Sequence, residues 1–325
     1  MVEPGVGRQG NGGQMDRHPK VSIGMPVYNG EDYIEAAIES ILAQTFDDFE
    51  LIISDNASTD RTEEICAEFA AKDPRIHYVR QKRNLGAAPN HNFTVGKARG
   101  EYFKWSAHDD VMEPQLLERC VEVLERYPEV QLVFPRTLRI DETGATVGRY
   151  PDYASMRLMS SRPSQRFGDI ICKQHNCVNV FGLARRDVFA ETGLLSARED
   201  SDRHLLAHLA LRGPLFEVPQ YLFKRRDHAQ AYSQSVPRDQ RMAWWDTSRT
   251  ETITFPEWRS LAVYLRMIKH SDIAESERRA CRLQLVRWVL GPKWYRQRWV
   301  KLLRDAVLGG YRHLRRMTNG SKQPQ

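Results

Sequence analysis

The chain of 325 residues is 41% hydrophobic and 28% charged, which suits one large domain or a domain with an appendage. Its formal net charge of +6 permits an anionic ligand or surface without selecting one, and no nucleic-acid-binding motif accompanies it, so nucleic acid is not an expected partner. Five cysteines with no CxxC pair exclude a disulfide framework and a thiolate zinc site and favour a reducing cytoplasm, and no apolar run approaches the roughly 20 residues that span a bilayer.

Residues 1–19 are Gly-rich and lack the apolar segment of a signal peptide, so a disordered leader is expected there. From Lys20 onward strands and helices alternate. "VSIGMPVYN" reads as a buried strand, and "DYIEAAIESILAQ" puts Ile34, Ile38, Ile41 and Leu42 on one helical face. "FELIISDNAS" is a second strand, followed by a helix over "STDRTEEICAEFAAK" with Ser58 or Thr59 as its cap and Ile65, Cys66 and Phe69 inward. "RIHYVRQ" begins a third unit, whose "NLGAAPNHN" turn leads into a short helix. "GEYFKWSAHDD" with "PQLLERCVEVLERY" makes a fourth. Beyond Val130 come a strand and hairpin around "DETG", a strand and helix in "NVFGLARRDVFAETG", and a helix "DRHLLAHLALRG" with Leu205, Leu206 and Leu209 buried and Gly213 ending it. "LFEVPQYLFKRRDH" reads as a closing strand pair, and after about Asp239 the segments turn Trp- and Arg-rich.

Alternation at this spacing predicts an α/β fold, a mainly parallel sheet with helices on both faces, whose ligand crevice lies at the carboxyl ends of the strands. Polar residues collect at that rim. They are Tyr28, Asn29 and Glu31 beside Pro26 and Val27 after the first strand, Asp55, Asn56 and Ser58 after the second, Asn84 and Asn90 after the third, and His108, Asp109 and Asp110 after the fourth. Adjacent carboxylates repel unless a positive charge sits beside them, so the Asp109–Asp110 pair asks for a cation. The plainer reading is a solvated turn capping the helix near Pro114, which suits Asp110.

These residues resemble the GT-A glycosyltransferases of the family 2 type. "VSIGMPVYNGEDYIEAAIESILAQTFDDFELIISDNASTD" is very similar to that family's nucleotide-binding opening, "ARGEYFKWSAHDD" resembles the approach to its DxD motif, and "EDSDRHLLAHLALRGPLFEVPQYLFKRRDH" resembles its ED region and R-x-H ending. The resemblance covers roughly residues 20–228. It implies a Rossmann-like GT-A domain over 20–238, with a nucleotide-sugar half (20–135) and an acceptor half (136–238), followed by a basic helical extension over 239–325. It also implies metal-dependent, inverting transfer of a sugar from a UDP, dTDP or GDP donor to a carbohydrate or lipid-linked acceptor, for cell-surface polysaccharide or glycolipid synthesis.

On the family pattern Asp109 is the second carboxylate of DxD and contacts Mg²⁺ or Mn²⁺, while Ala107 stands where the first carboxylate belongs and His108 is the candidate substitute. Asp202 falls at the base position, with Asp200 as the alternative; a helix cap is the plainer reading of either. Asp55 resembles the aspartate that accepts the imide N–H of a pyrimidine base, against a simple turn role in "SDNAS". Arg226 and His228 in "RRDH" would reach the diphosphate or the metal, or else form a basic strand end. Cys172, His175 and Cys177 read as packing. In the tail, Trp299, Leu302, Leu303, Ala306 and Val307 share a helical face bordered by Arg296, Arg298, Lys301 and Arg304, which suits an anionic membrane interface or a helix packed on the domain. Nucleotidyl transfer and a non-catalytic membrane scaffold are the alternative functions.

Overall fold

β1 (Val21–Val27) is buried at every position and lies between β2 (Phe49–Asp55) and β4 (Tyr102–Trp105), parallel to both. A strand covered on both faces must be apolar throughout, which "VSIGMPV" nearly is. The computed structural model describes residues 18–196, 200–231, 244–247 and 256–290. β3 (Ile76–Arg80) pairs parallel with β2. On the other side the sheet runs from β4 through the short β8 (Leu183–Arg185) and β6 (Leu132–Ile140) to β9 (Leu215–Arg226) and β5 (Val111–Met112), with β7 (Thr146–Arg149) on β6. The long ladders, including β6 with β9, are parallel; the antiparallel pairings are short.

Helices cover both faces, as alternation requires. On one, α1 (Ile34–Leu42), α2 (Thr62–Lys72) and α4 (Leu116–Arg126) bury Ile38, Ile41, Cys66, Leu117 and Leu124 in one core with β1 and β2, α4 lying on β6, β8 and β9. On the other, α3 (Ala87–Lys97), α5 (Pro163–Cys172), α6 (Arg186–Glu191) and α7 (Ser201–Arg212) pack with α8 (Pro256–His270) and α9 (Glu275–Leu290). Tyr264, Ile268, Cys281, Leu285 and Trp288 of the last two helices share one core with Phe167, Ile170 and Leu206. Fully burying such a side chain contributes about 1.5–3 kcal/mol. No helix among the described residues is long and apolar enough to cross a membrane. The leader through residue 17 and the tail face at 296–307 lie outside the described residues.

Three local expectations are corrected. Ser58 and Thr59 do not cap α2. The helix starts at Thr62, and Asp60, accepting from the Thr62 N–H (3.1 Å) and Oγ1 (2.6 Å), orders its entry. The "NLGAAPNHN" turn is mostly helix, because Gly86 at φ +90° lets α3 begin at Ala87. "LFEVPQYLFKRR" is one twelve-residue strand rather than a pair, since Pro219 falls where the β6 register shifts. Gly213 ends α7 as expected, in extended backbone, φ −170°. Residues 178–181 form a 3₁₀ turn before β8.

Gly86 carries one further constraint. A Cβ there would sit 2.6 Å from Asp246 Cα and 2.8 Å from the Trp245 carbonyl oxygen, so the 244–247 segment packs directly on the loop after β3. Gly86→Ala adds left-handed strain to that clash. It is expected to cost about 2 kcal/mol or more, read as a lowered midpoint in urea unfolding.

Candidate active site

The loops after β1 and β2 are stitched together at the carboxyl rim. Asn29, at φ +53°, receives nothing from its own strand. Its N–H donates to Ser58 Oγ (2.9 Å) and its Oδ1 accepts from the Thr59 N–H (2.9 Å). Gly30 N–H donates to Thr62 Oγ1 (2.8 Å), and Glu31 exchanges two bonds with the 60–61 backbone and side chain: its N–H to Asp60 (3.0 Å), its Oε2 from Arg61 N–H (3.0 Å). Pro26 and Val27 are buried in β1, while Tyr28 stands 45% exposed on the lip.

Several rim residues expected to meet a donor are spent inside the protein. Asp55 has no exposed surface; its oxygens accept from Ser58 N–H (2.8 Å) and Tyr78 O–H (2.7 Å), with Arg80 Nε at 3.7 Å. Here the carboxylate orders the 56–59 turn, the role that the turn reading gives it. Asn56 spans to the next loop, donating to Asn84 Oδ1 (2.9 Å) and Gly86 O (3.2 Å) and accepting from Leu85 N–H (2.8 Å). Asn84 Oδ1 also accepts from Gly86 N–H (2.8 Å). Asn90 lies buried on α3 and ties that helix to Ser54 through Oγ–H (2.6 Å) and the carbonyl (2.8 Å). These asparagines build the crevice wall.

The acid pair is divided in two by its surroundings. Asp110 is buried, not a solvated cap, and its Oδ1 accepts from the Arg226 N–H at 2.9 Å. Burial, then the charge of Asp109, pushes its carboxyl far up, towards keeping its proton. Burial acts the same way on Asp109, but the hydrogen bond with His228 and the nearby imidazole of His108 outweigh it and hold Asp109 below the ordinary carboxylate value. The neighbours therefore do not both carry charge.

His228 Nε2 lies 2.8 Å from Asp109 Oδ2, and this bond raises the imidazole above its ordinary value. His108 packs its ring over Gly30, whose added Cβ would meet it at 2.7 Å. The Arg226 side chain is engaged within the protein. Its guanidinium donates to the carbonyls of Asp109 (3.0 Å), Asp141 (3.0 Å) and Glu142 (3.1 Å) and lies over the Tyr33 ring at 4.7 Å. Arg226 thus clamps the strand end that presents Asp109, because the β6–β7 turn leaves two carbonyls without strand partners beside it.

A divalent ion fits between Asp109 and His228. Two neighbouring ligands at about 2.1 Å in an octahedral shell are about 3 Å apart, close to the 2.8 Å separation here. Among the described residues no three His, Cys, Asp or Glu side chains converge on one point. Oxygen ligands from a diphosphate and water would complete the shell, which is how Mg²⁺ is ordinarily held beside phosphates.

On the acceptor side, Asp200 stands at the N-cap position of α7 but makes no capping bond. Ser201 is buried and its Oγ accepts from Ser196 N–H at 2.6 Å. Asp202, in the first turn, is largely buried, and burial raises its carboxyl to about 6 against the lowering pull of Arg225. It accepts no hydrogen bond among the described residues. Cys172, His175 and Cys177 are packing, with His175 Nε2 at 3.0 Å from Ile170 O and Nδ1 accepting from Cys177 N–H at 3.2 Å.

Arg225 was not among the expected site residues. Its guanidinium lies 5.7 Å from the Tyr150 ring centroid and forms no hydrogen bond or ion pair among the described residues, yet it interacts electrostatically with the Asp109, Asp110 and Asp202 carboxyls. The run "KRR" signalled a cation at this strand end but not which arginine faces the crevice. Because Arg225 lowers Asp202, Arg225→Gln is expected to move the acid limb of kcat/KM upward by about half a pH unit or more, checked by a pH–rate profile.

A mainly parallel sheet with helices on both faces and an acidic corner at its strand ends is an α/β architecture of the GT-A type. The profile described as "Glycosyl transferase family 2" matches residues 22–193, and the chain belongs to that family. An uncharacterized glycosyltransferase of Methanocaldococcus jannaschii is 39% identical over 134 residues, which are 41% of this chain and 46% of that protein. The chain thus spans about half the length of such curated relatives. Among solved structures, S. aureus TarS 1-349 in complex with UDP-GlcNAc aligns with a TM-score of 0.57 at 14% identity, covering 82% of this chain and 71% of that one. The mannosyltransferase PcManGT from Pyrobaculum calidifontis, in complex with GDP-Man and Mn²⁺, aligns at 0.53 and 17% identity, covering 93% and 81%.

Proposed function

We propose that the protein transfers a glycosyl group from a nucleoside-diphosphate sugar to an acceptor hydroxyl with inversion. The observation that carries this reading is the Asp109–His228 pair at the strand rim, 2.8 Å apart, with Asp202, which accepts no hydrogen bond among the described residues, under the electrostatic influence of the same Arg225. Asp109 and His228 would hold Mg²⁺ or Mn²⁺, which when bound neutralises charge on the departing diphosphate. Asp202 takes the proton of the acceptor hydroxyl as its oxygen attacks the anomeric carbon. A carboxyl raised to about 6 is ionised at neutral pH and more basic than an exposed aspartate. One base and one displacement invert the centre. Arg226 fixes the chain that carries Asp109, and the asparagine-lined wall positions the nucleotide within the 20–135 half.

The relatives' own ligands, UDP-GlcNAc and GDP-Man, support a nucleotide-sugar donor, and PcManGT's Mn²⁺ supports the ion. The acceptor belongs to the 136–238 half and is a carbohydrate or a lipid-linked one at the cytoplasmic face of a membrane. The test is incubation with Mn²⁺ and a panel of UDP-, dTDP- and GDP-sugars, following release of the nucleoside diphosphate. Release of pyrophosphate from a nucleoside triphosphate would favour nucleotidyl transfer instead, and no release with any donor and acceptor panel would favour a scaffold.

A further inference from the structure

α9 is apolar on two opposite faces. Cys281, Leu285 and Trp288 point inward and are buried in the core shared with α5 and α8. Leu283, Val286 and Leu290, spaced at i, i+3 and i+7, are 64%, 51% and 66% exposed. At about 100° per residue these three fall within an arc of roughly 60° on the outer side. An ordinary surface helix gives that arc to polar residues, because nothing repays the exposure of a leucine stripe to water.

The charges on and beyond the same arc identify its partner. Arg282 and Arg287, both exposed, flank the stripe on either side by about 40°, and the exposed Arg279 lies on it one turn earlier. Among the described residues their polar contacts are loose and local: Arg279 and Arg282 approach Glu275 at 3.7 and 3.5 Å, and Arg287 approaches Gln284 at 3.4 Å. A protein–protein seam also accepts arginines at its rim, so the shoulders alone do not choose the partner; the strongly basic segment that follows α9 does. An apolar ridge with arginines on both shoulders suits a lipid surface, where the stripe enters the acyl boundary and the guanidinium groups reach anionic headgroups. The sequence adds a second source of attraction. Residues 291–325, which follow α9 directly, contain nine Lys and Arg against the single acid Asp305, so the whole positive excess of the chain is carried there.

We propose that the outer face of α9 docks on a membrane surface containing anionic lipid. The inference stands independently of the reaction proposed above. α9 packs on α5 and α8, and α8 on α7, whose first turn carries Asp202, so the docked face belongs to the acceptor side of the molecule.

Flotation of the full chain with phosphatidylcholine vesicles, with and without phosphatidylglycerol, tests this. The expected result is binding only to the anionic vesicles, weakened by salt. It should fall by about tenfold or more both in Leu283→Ser/Val286→Ser/Leu290→Ser and in Arg279→Gln/Arg282→Gln/Arg287→Gln. All six side chains are exposed, so the variants should melt with the wild type. Binding by the apolar variant equal to wild type would assign the attraction to residues 291–325 alone and overturn the proposal. So would equal binding to neutral vesicles, no binding at all, or a dimer in light scattering that the apolar variant dissolves.

Discussion

Asp109→Asn is expected to abolish metal-supported turnover, by about a thousandfold or more, while the protein melts close to the wild-type temperature. The asparagine keeps the shape and can still accept a bond from His228, so Arg226 and the β6–β7 turn stay in place. What disappears is the ionised carboxylate of the pair, since Asp110 is pushed towards its neutral form by burial and is already bonded to the Arg226 N–H. A pair of His and amide holds a divalent ion poorly. Mn²⁺ titration of the variant in the presence of UDP checks the cause: lost activity with undiminished ion affinity would mean that Asp109 acts in some other way.

Asp202→Asn separates a base from a cap by two readouts of opposite sign. Loss of a general base should lower kcat by about 10²–10⁴-fold and leave donor affinity unchanged. Stability should move the other way. The Asp202 carboxyl is raised from 3.8 to about 6 in the folded protein, so the native state binds its proton more tightly than the unfolded chain. Native stability therefore falls as pH rises from about 4 through 6, and above that the penalty is complete. An asparagine escapes it and should gain about 1–3 kcal/mol at pH 8, a gain that vanishes below pH 4. Removal of a helix cap would instead destabilise at neutral pH. The wild-type kcat/KM should rise with pH through about 6, and an active Asp202→Asn enzyme would move the base to Asp200.

The sheet and its helices were legible because period and burial agree along β1, α1 and β2: seven buried positions in each strand, and Ile34, Ile38 and Ile41 on one helical stripe. The rim was legible as a place, not as a set of contacts. Asn56, Asn84, Asn90 and Asp55 carry the polar groups that either a nucleotide or a loop backbone could use. Which of the two they meet depends on partners far away in sequence, such as Asn84 for Asn56 and Ser54 for Asn90. The acid pair posed the same problem. Asp110 is buried only because β9 crosses beside it and offers the Arg226 N–H, a pairing 116 residues distant.

Arg225 and Arg226 show a different limit. Strand alternation sends neighbouring side chains to opposite faces, so one of the two had to face the crevice. Parity could not be counted along β9, because its pairing with β6 slips twice, between Pro135 and Arg136 and between Arg136 and Thr137. The family pattern pointed to Arg226, which clamps the 109 and 141–142 carbonyls, while Arg225 forms no hydrogen bond or ion pair among the described residues. Asp202 was legible only through the resemblance, since nothing local distinguishes an unbonded carboxylate in a first helical turn from a cap.

The most direct measurement is calorimetric titration of the wild-type protein with UDP and GDP, first with chelator and then with Mn²⁺. The ion-bridged corner of Asp109 and His228 predicts that at least one nucleoside diphosphate binds about tenfold or more tightly when Mn²⁺ is present. Equal affinity with and without the ion, for a nucleotide that does bind, would contradict it.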